Sequence, residues 1–187
     1  MIIIGFSGPA NSGKDTAAEF IGRVEHQAFF TAFADPLKRA ICEMFYLDRD
    51  AFIDRESKER SDPELGKSPR QLAQIIGTEI VRAIHPNAWV ISMDRRLADI
   101  QFAGISILLI TDVRFENEAD WVREKGGTVI HILRPIARWQ HDGHESERGI
   151  EVKTSDFAIM NSSTLEEFED KVLGVYASIK GHSEAKQ

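Results

Sequence analysis

An unbroken apolar run, Ile2-Ile3-Ile4-Gly5-Phe6, leads through Ser7 into Gly8-Pro9-Ala10-Asn11-Ser12-Gly13-Lys14, and the residues that follow, Ala17, Ala18, Phe20, Ile21 and Val24, recur at helical spacing. A buried strand therefore turns through a glycine-rich loop into a helix that carries a lysine in its first turn. Such a loop is an anion cradle. Backbone N–H groups converge on one point, the helix N-terminus adds partial positive charge, and Lys14 reaches the β- and γ-phosphates of a nucleotide. Gly8, Asn11, Ser12, Gly13, Lys14, Asp15 and Thr16 are accordingly the expected residues for binding a nucleotide's phosphates. Asp15 stands where Ser or Thr usually ligates Mg²⁺, with Thr16 one residue later. Two readings stay open: Asp15 ligates the metal, or Asp15 stabilises the helix N-terminus while Thr16 meets the metal.

Strands and helices alternate after this loop, the pattern of a parallel sheet covered by helices on both faces. Strands are expected at Ile2–Ser7, Ala28–Phe33, Ile105–Thr111, Thr128–Leu133 and Phe157–Asn161. Helices are expected at Lys14–His26, Pro36–Tyr46, Pro69–Ile84, Asn87–Ala103, Glu116–Lys125 and Leu165–Lys180, with Gly104, Gly126-Gly127 and Pro135 as punctuation. A chain of 187 residues with 42% hydrophobic content makes one domain with a sizeable core. The long crossover before Ile105 holds several helices and is the place for an acceptor-binding insertion, about 35–103. Asp48–Ser68 mixes Arg49, Arg55, Lys58, Arg60 and Lys67 with acidic residues and reads as a surface loop with a short helix. A second polar stretch, about 135–155, lies between two apolar strands, where a lid over a nucleotide site belongs.

Charge and cysteine content narrow the class further. A net charge of -7 argues against a grip on long nucleic acid by bulk electrostatics and favours a mononucleotide held by local cations. The single cysteine, Cys42, lies in an apolar stretch and forms no intramolecular disulfide, which fits a reducing cytoplasm. The N-terminus carries neither a basic region nor a cleavage site, and no apolar run reaches the ~20 residues that span a bilayer. The oligomeric state is left open, a homodimer included.

Asp112 follows an apolar run that ends at Thr111, so it should emerge at the C-terminal edge of a central strand, where open parallel sheets bind ligands. It either orients Mg²⁺ or caps the helix that follows, and both roles can coexist. Arg114 is two residues beyond, and an arginine fork suits phosphate oxygens. Lys38, Arg70 and Arg82 are further candidates for an acceptor phosphate, whereas Arg39 reads as surface. In the lid stretch, Arg134 and Arg138 are placed to close over a transferring phosphoryl group and exclude water. His141, His144 and Glu145 there make a weak zinc pattern without cysteine support. Trp89 and Trp121 sit on apolar helix faces and read as core, and Trp139 stays ambiguous.

These segments together resemble the phage-type deoxynucleoside monophosphate kinases, within the P-loop nucleoside monophosphate kinase group, over nearly the whole chain. The resemblance is carried by Gly8–Thr16 with its Gly-Lys-Asp-Thr ending, by Phe33-Ala34-Asp35-Pro36-Leu37-Lys38, by Ser68–Leu72 through Gly77-Thr78-Glu79 to Asn87–Val90, and by Thr111–Glu118. His144–Glu147 and Asp156–Asn161 also look like the family's lid end and final strand. The resemblance implies an α/β P-loop NTPase fold like adenylate kinase, with five parallel strands, an acceptor-binding insertion and a lid. It implies transfer of the γ-phosphoryl of ATP to a (deoxy)nucleoside monophosphate with Mg²⁺ as cofactor, in deoxynucleotide metabolism. Lys14, Arg114, Arg134 and Arg138 would be catalytic, Lys38, Arg70, Arg82 and Arg114 would hold the acceptor, and Asp15, Thr16 and Asp112 would serve the metal. The sequence is also compatible with two alternatives: a P-loop kinase for another small phosphorylated acceptor such as phosphomevalonate, or a non-catalytic ATP-binding sensor. Base and sugar preference are not legible.

Overall fold

The computed structural model describes residues 1–135 and 149–185. Its contacts divide the chain into two compact units, Met1–Ala32 with Met93–Gln187, and Phe33–Ser92. In chain order the elements are β1 (Ile2–Ser7), α1 (Lys14–Val24), β2 (Ala28–Thr31), α2 (Asp35–Met44), α3 (Arg55–Glu59), α4 (Pro69–Gln74), α5 (Arg82–Ile84), α6 (Ala88–Phe102), β3 (Ile107–Val113), α7 (Glu116–Glu124), β4 (Thr128–Leu133), β5 (Phe157–Met160) and α8 (Leu165–Glu184).

The first unit is built on one parallel five-stranded sheet in the order β2-β3-β1-β4-β5. Strands β1, β3 and β4 are buried on both faces, which is why they read as near-continuous apolar runs. The core gathers Phe6, Phe20, Ile21, Leu109, Ile130, Phe168 and Val172, and the Phe20 and Phe168 rings meet edge-on at 5.8 Å. Helix α8 is capped by Thr164, whose hydroxyl accepts the Glu167 N–H. No helix among the described residues is long and apolar enough to cross a membrane.

Strand ends differ from the sequence expectation. Strand β2 stops at Thr31 and β5 at Met160, and β3 runs over Ile107–Val113 instead of 105–111. The β3 shift has two physical causes. The Ile105 N–H still bonds back to Ile100 of α6, which delays the strand. At its far end the β1 register jumps from Gly5 opposite Ile110 to Ser7 opposite Val113, a bulge that carries the extra residue among Thr111 and Asp112. Bulges of this kind re-aim side chains and recur beside active sites.

The second unit is helical around Leu37, Ile41 and Leu72, with Phe45, Phe52, Ile76 and Trp89 packed against them. The expected Pro69–Ile84 helix is present, but it widens into a π segment at Ile75–Val81 between α4 and α5. Gly77 lies in that segment. Its carbonyl accepts the Trp89 indole N–H at 3.0 Å, and a Cβ there would lie 2.5 Å from the Leu37 side chain. Residues 48–68 hold more structure than a loop with one helix, namely a 3₁₀ turn at Arg49–Phe52 and α3. Each starts on an aspartate, with Asp48 accepting from the Asp50 N–H and Asp54 from the Ser57 N–H.

A charged network ties residues 151–156 to α7 and β4. The Asp156 side chain is fully buried and receives Arg123 Nη2 at 2.6 Å and Nε at 3.1 Å, His131 Nε2 at 3.1 Å and the Lys153 N–H at 2.9 Å. Arg123 and Lys153 also share Asp120, at 2.8 Å and 2.6 Å.

Candidate active site

The glycine-rich loop leaves the C-terminal end of central strand β1 and enters α1. Gly8, at φ +144°, passes so near β4 that a Cβ would fall 2.3 Å from the Ile132 carbonyl oxygen. Gly13, at φ +104°, caps α1 and has no room for a side chain either, since Asn161 Nδ2 lies 2.7 Å from the Cβ position. Within the loop the Ser12 N–H donates to the Pro9 carbonyl at 3.2 Å. Asn161 Nδ2 donates to the Ser12 carbonyl at 2.8 Å, and Arg134 Nη1 to the Asn11 carbonyl at 3.2 Å. The Ser12 hydroxyl is enclosed without a hydrogen-bond partner among the described residues.

Lys14 is buried, only 8% exposed, and its ammonium donates to the Gly8 and Pro9 carbonyls at 2.7 Å each. It therefore shapes the loop as well as charging it. Asp15 is exposed in the first turn of α1, and Thr16 behind it is half-buried.

Asp112 and Arg114, both half-buried, stand at the C-terminal edge of β3 and just beyond it. Asp112 lies inside the strand, one residue before its end at Val113, whereas the sequence suggested a place just past the end. The N-terminus of α7 is served by Glu118, a residue the sequence reading passed over. Its buried carboxylate accepts the Arg114 N–H at 2.9 Å and the Phe115 N–H at 3.2 Å, which fixes the backbone that presents Arg114. The signal was available, because a Glu at the third helical position closes back on the cap.

Lys38, Arg70 and Arg82 all belong to the second unit and are engaged locally. Lys38 pairs with Asp35 at 3.8 Å, Arg70 with Glu59 at 3.0 Å, and Arg82 Nη1 donates to the Pro86 carbonyl at 2.9 Å. Trp89 and Trp121 are packed with their indole N–H groups satisfied, Trp121 by Asp94 at 3.1 Å. The sequence candidates Arg138, Trp139, His141, His144 and Glu145 lie outside the described residues. Among the described residues no three His, Cys, Asp or Glu side chains gather as a metal cage.

The profile of a family described as deoxynucleotide monophosphate kinase matches residues 54–172. A mimivirus protein that carries the provisional name deoxynucleotide monophosphate kinase is 35% identical over 92% of this chain and 95% of its own length. The deoxynucleotide monophosphate kinase of Enterobacteria phage T4 is 33% identical over 56% of this chain, which spans 44% of the phage protein. Among solved structures, a dephospho-CoA kinase from Campylobacter jejuni superposes with a TM-score of 0.52 at 17% identity, over 96% of this chain and 98% of that one, and so shares the fold. By sequence along nearly its whole length, the chain belongs to the deoxynucleotide monophosphate kinase family.

Proposed function

We propose that this chain transfers the γ-phosphoryl group of ATP to a deoxynucleoside monophosphate, giving ADP and the deoxynucleoside diphosphate. The observation that carries the reading is one chain joining this family membership to a loop wrapped around the Lys14 ammonium. The acceptor is already a phosphate oxygen, so the reaction needs no general base. The protein's work is to hold two polyanions in line and to neutralise the charge that spreads over the moving group.

In this reading Lys14 and the Gly8–Thr16 amides hold the donor phosphates. Arg114, Lys38, Arg70 and Arg82 hold the acceptor phosphate, with the Phe33–Ser92 unit as the acceptor-binding part. Arg134 and Arg138 act on the transferring group, with 135–155 as the lid. Mg²⁺ would be held by Asp112 with Asp15 or Thr16. The donor set fits by its chemistry, because Asp112, Asp15 and Thr16 offer carboxylate and hydroxyl oxygens and Mg²⁺ commonly takes one or two protein oxygens and completes its shell from phosphates and water. When bound, it would neutralise negative charge on the donor phosphates.

A coupled assay of ADP release against the common deoxy- and ribonucleoside monophosphates tests the reading. The expected result is release that depends on an added deoxynucleoside monophosphate, with one diphosphate formed per ADP. ADP release indifferent to any monophosphate, or stimulated only by a non-nucleotide phosphate, would overturn it.

A further inference from the structure

Asn161 follows β5 directly, and the sequence gives it no role beyond closing the final strand. Its side chain nevertheless reaches back 149 positions to the phosphate loop, where Nδ2 donates to the Ser12 carbonyl at 2.8 Å. Its own N–H is bonded to the Leu133 carbonyl at 2.7 Å, so the side chain projects from a backbone fastened to the end of β4. The same Nδ2 fills the space that a Cβ on Gly13 would need.

We propose that Asn161 is a positioning residue for the donor phosphates, holding the Ser12–Gly13 peptide in the one orientation that turns the Gly13 N–H toward the anion. Gly13 has no Cβ and sits at φ +104°, so its own sterics give the preceding peptide little preference between two orientations. In a planar trans peptide the carbonyl of Ser12 and the N–H of Gly13 point in opposite directions. With the carbonyl fastened to Asn161, the N–H faces the other side, where a loop of this kind gathers its donors. A flipped peptide would present a carbonyl oxygen to the phosphates instead. Gly13 and Asn161 thus form a matched pair, since the glycine the loop needs is also the residue whose peptide flips most easily. The inference rests on the reading of Gly8–Thr16 as the donor loop.

The test compares the parent with Asn161→Ala and the isosteric Asn161→Asp, reading ADP affinity at equilibrium, KM for ATP and for the monophosphate, kcat and Tm. Asn161→Ala should weaken ADP binding and raise the KM for ATP by about five- to tenfold, the scale of one lost hydrogen bond. Asn161→Asp should cost more, because it faces the Ser12 carbonyl with a second acceptor and adds negative charge beside the phosphates. The monophosphate KM should stay within about twofold in both variants, and Tm within about 4 °C, the scale of one hydrogen bond in a chain of this length. Unchanged ADP affinity would overturn the proposal. So would loss of both affinities in step with Tm, or an unfolded Asp variant, because either result makes Asn161 a structural residue. The binding arm separates this from the enzymatic reading: a parent that binds ADP without transferring phosphate sinks the latter and still reports on Asn161.

Discussion

The ammonium of Lys14 has two tasks that pull in different directions. In the proposed reaction it meets phosphates, yet it is buried and bonded to the carbonyls of Gly8 and Pro9. Lys14→Ala should therefore lower turnover about 100-fold or more, the usual cost of losing one preorganised charge at a phosphoryl site. It should also lower stability by about 1–3 kcal/mol, because two loop carbonyls lose a charged donor. Activity and melting measured on the same preparation check both effects. Turnover above about a tenth of the parent would remove Lys14 from the reaction, and an unchanged Tm would reduce it to a phosphate contact alone. The Gly-x-x-x-x-Gly-Lys spacing made the loop itself legible, since the glycines are demanded by local backbone geometry. The tethers were not legible. Asn161 and Arg134 bond to backbone carbonyls of residues 12 and 11, and nothing in a side-chain pattern announces an acceptor that every residue possesses. Glu118 was within reach of a capping rule and was overlooked because Asp112 offered a nearer carboxylate.

At the scale of elements, the central strands could be read because burial on both faces leaves an unbroken apolar run, whereas their ends depend on neighbours. The β3 shift follows from a bond back to α6 and from a bulge, and the π segment lies where the Gly77 carbonyl accepts an indole N–H from the next helix. The Asp156 network was equally hidden, since it joins α7, β4 and residues 153–156, segments that no periodicity links. Its energetics are testable through pH. Burial alone would raise the Asp156 carboxyl, but the Arg123 guanidinium, the Lys153 N–H and His131 outweigh it and hold the pKa at about 2. A carboxyl depressed on folding contributes stability that is present above its unfolded value of about 4 and is lost as pH falls through the folded value. Asp156→Asn should thus melt several degrees below the parent at pH 6, and the gap should narrow steadily between about pH 4 and pH 2. A gap that stays constant over that range would mean that Asp156 acts through packing, not through its charge.

On the scale of the whole molecule, the proposed donor and acceptor residues fall in different compact units. Gly8–Thr16, Asp112, Arg114 and Arg134 belong to Met1–Ala32 with Met93–Gln187, and Lys38, Arg70 and Arg82 belong to Phe33–Ser92. In a chain of net charge -7, cations assigned to a phosphate must act locally, because the overall field opposes an incoming anion. Lys38→Ala and Arg70→Ala should therefore each raise the KM for the monophosphate about tenfold or more, the scale of a lost charge-assisted hydrogen bond, and leave the KM for ATP within about twofold. Their present ion pairs are partly exposed, Lys38 with Asp35 and Arg70 with Glu59, and such pairs contribute about 0–1 kcal/mol. Each variant should consequently melt within about 2 °C of the parent. ADP supplies an independent reading, because a ligand of the native state stabilises it by mass action, about 2.7 kcal/mol at a hundred times its Kd. That ADP-induced rise in Tm should be the same in parent and variants, while the further rise on adding a monophosphate should shrink in the variants alone. Loss of the ADP increment in Arg70→Ala or Lys38→Ala would show that the Phe33–Ser92 unit serves the donor as well, and the assignment of that unit to the acceptor would fall.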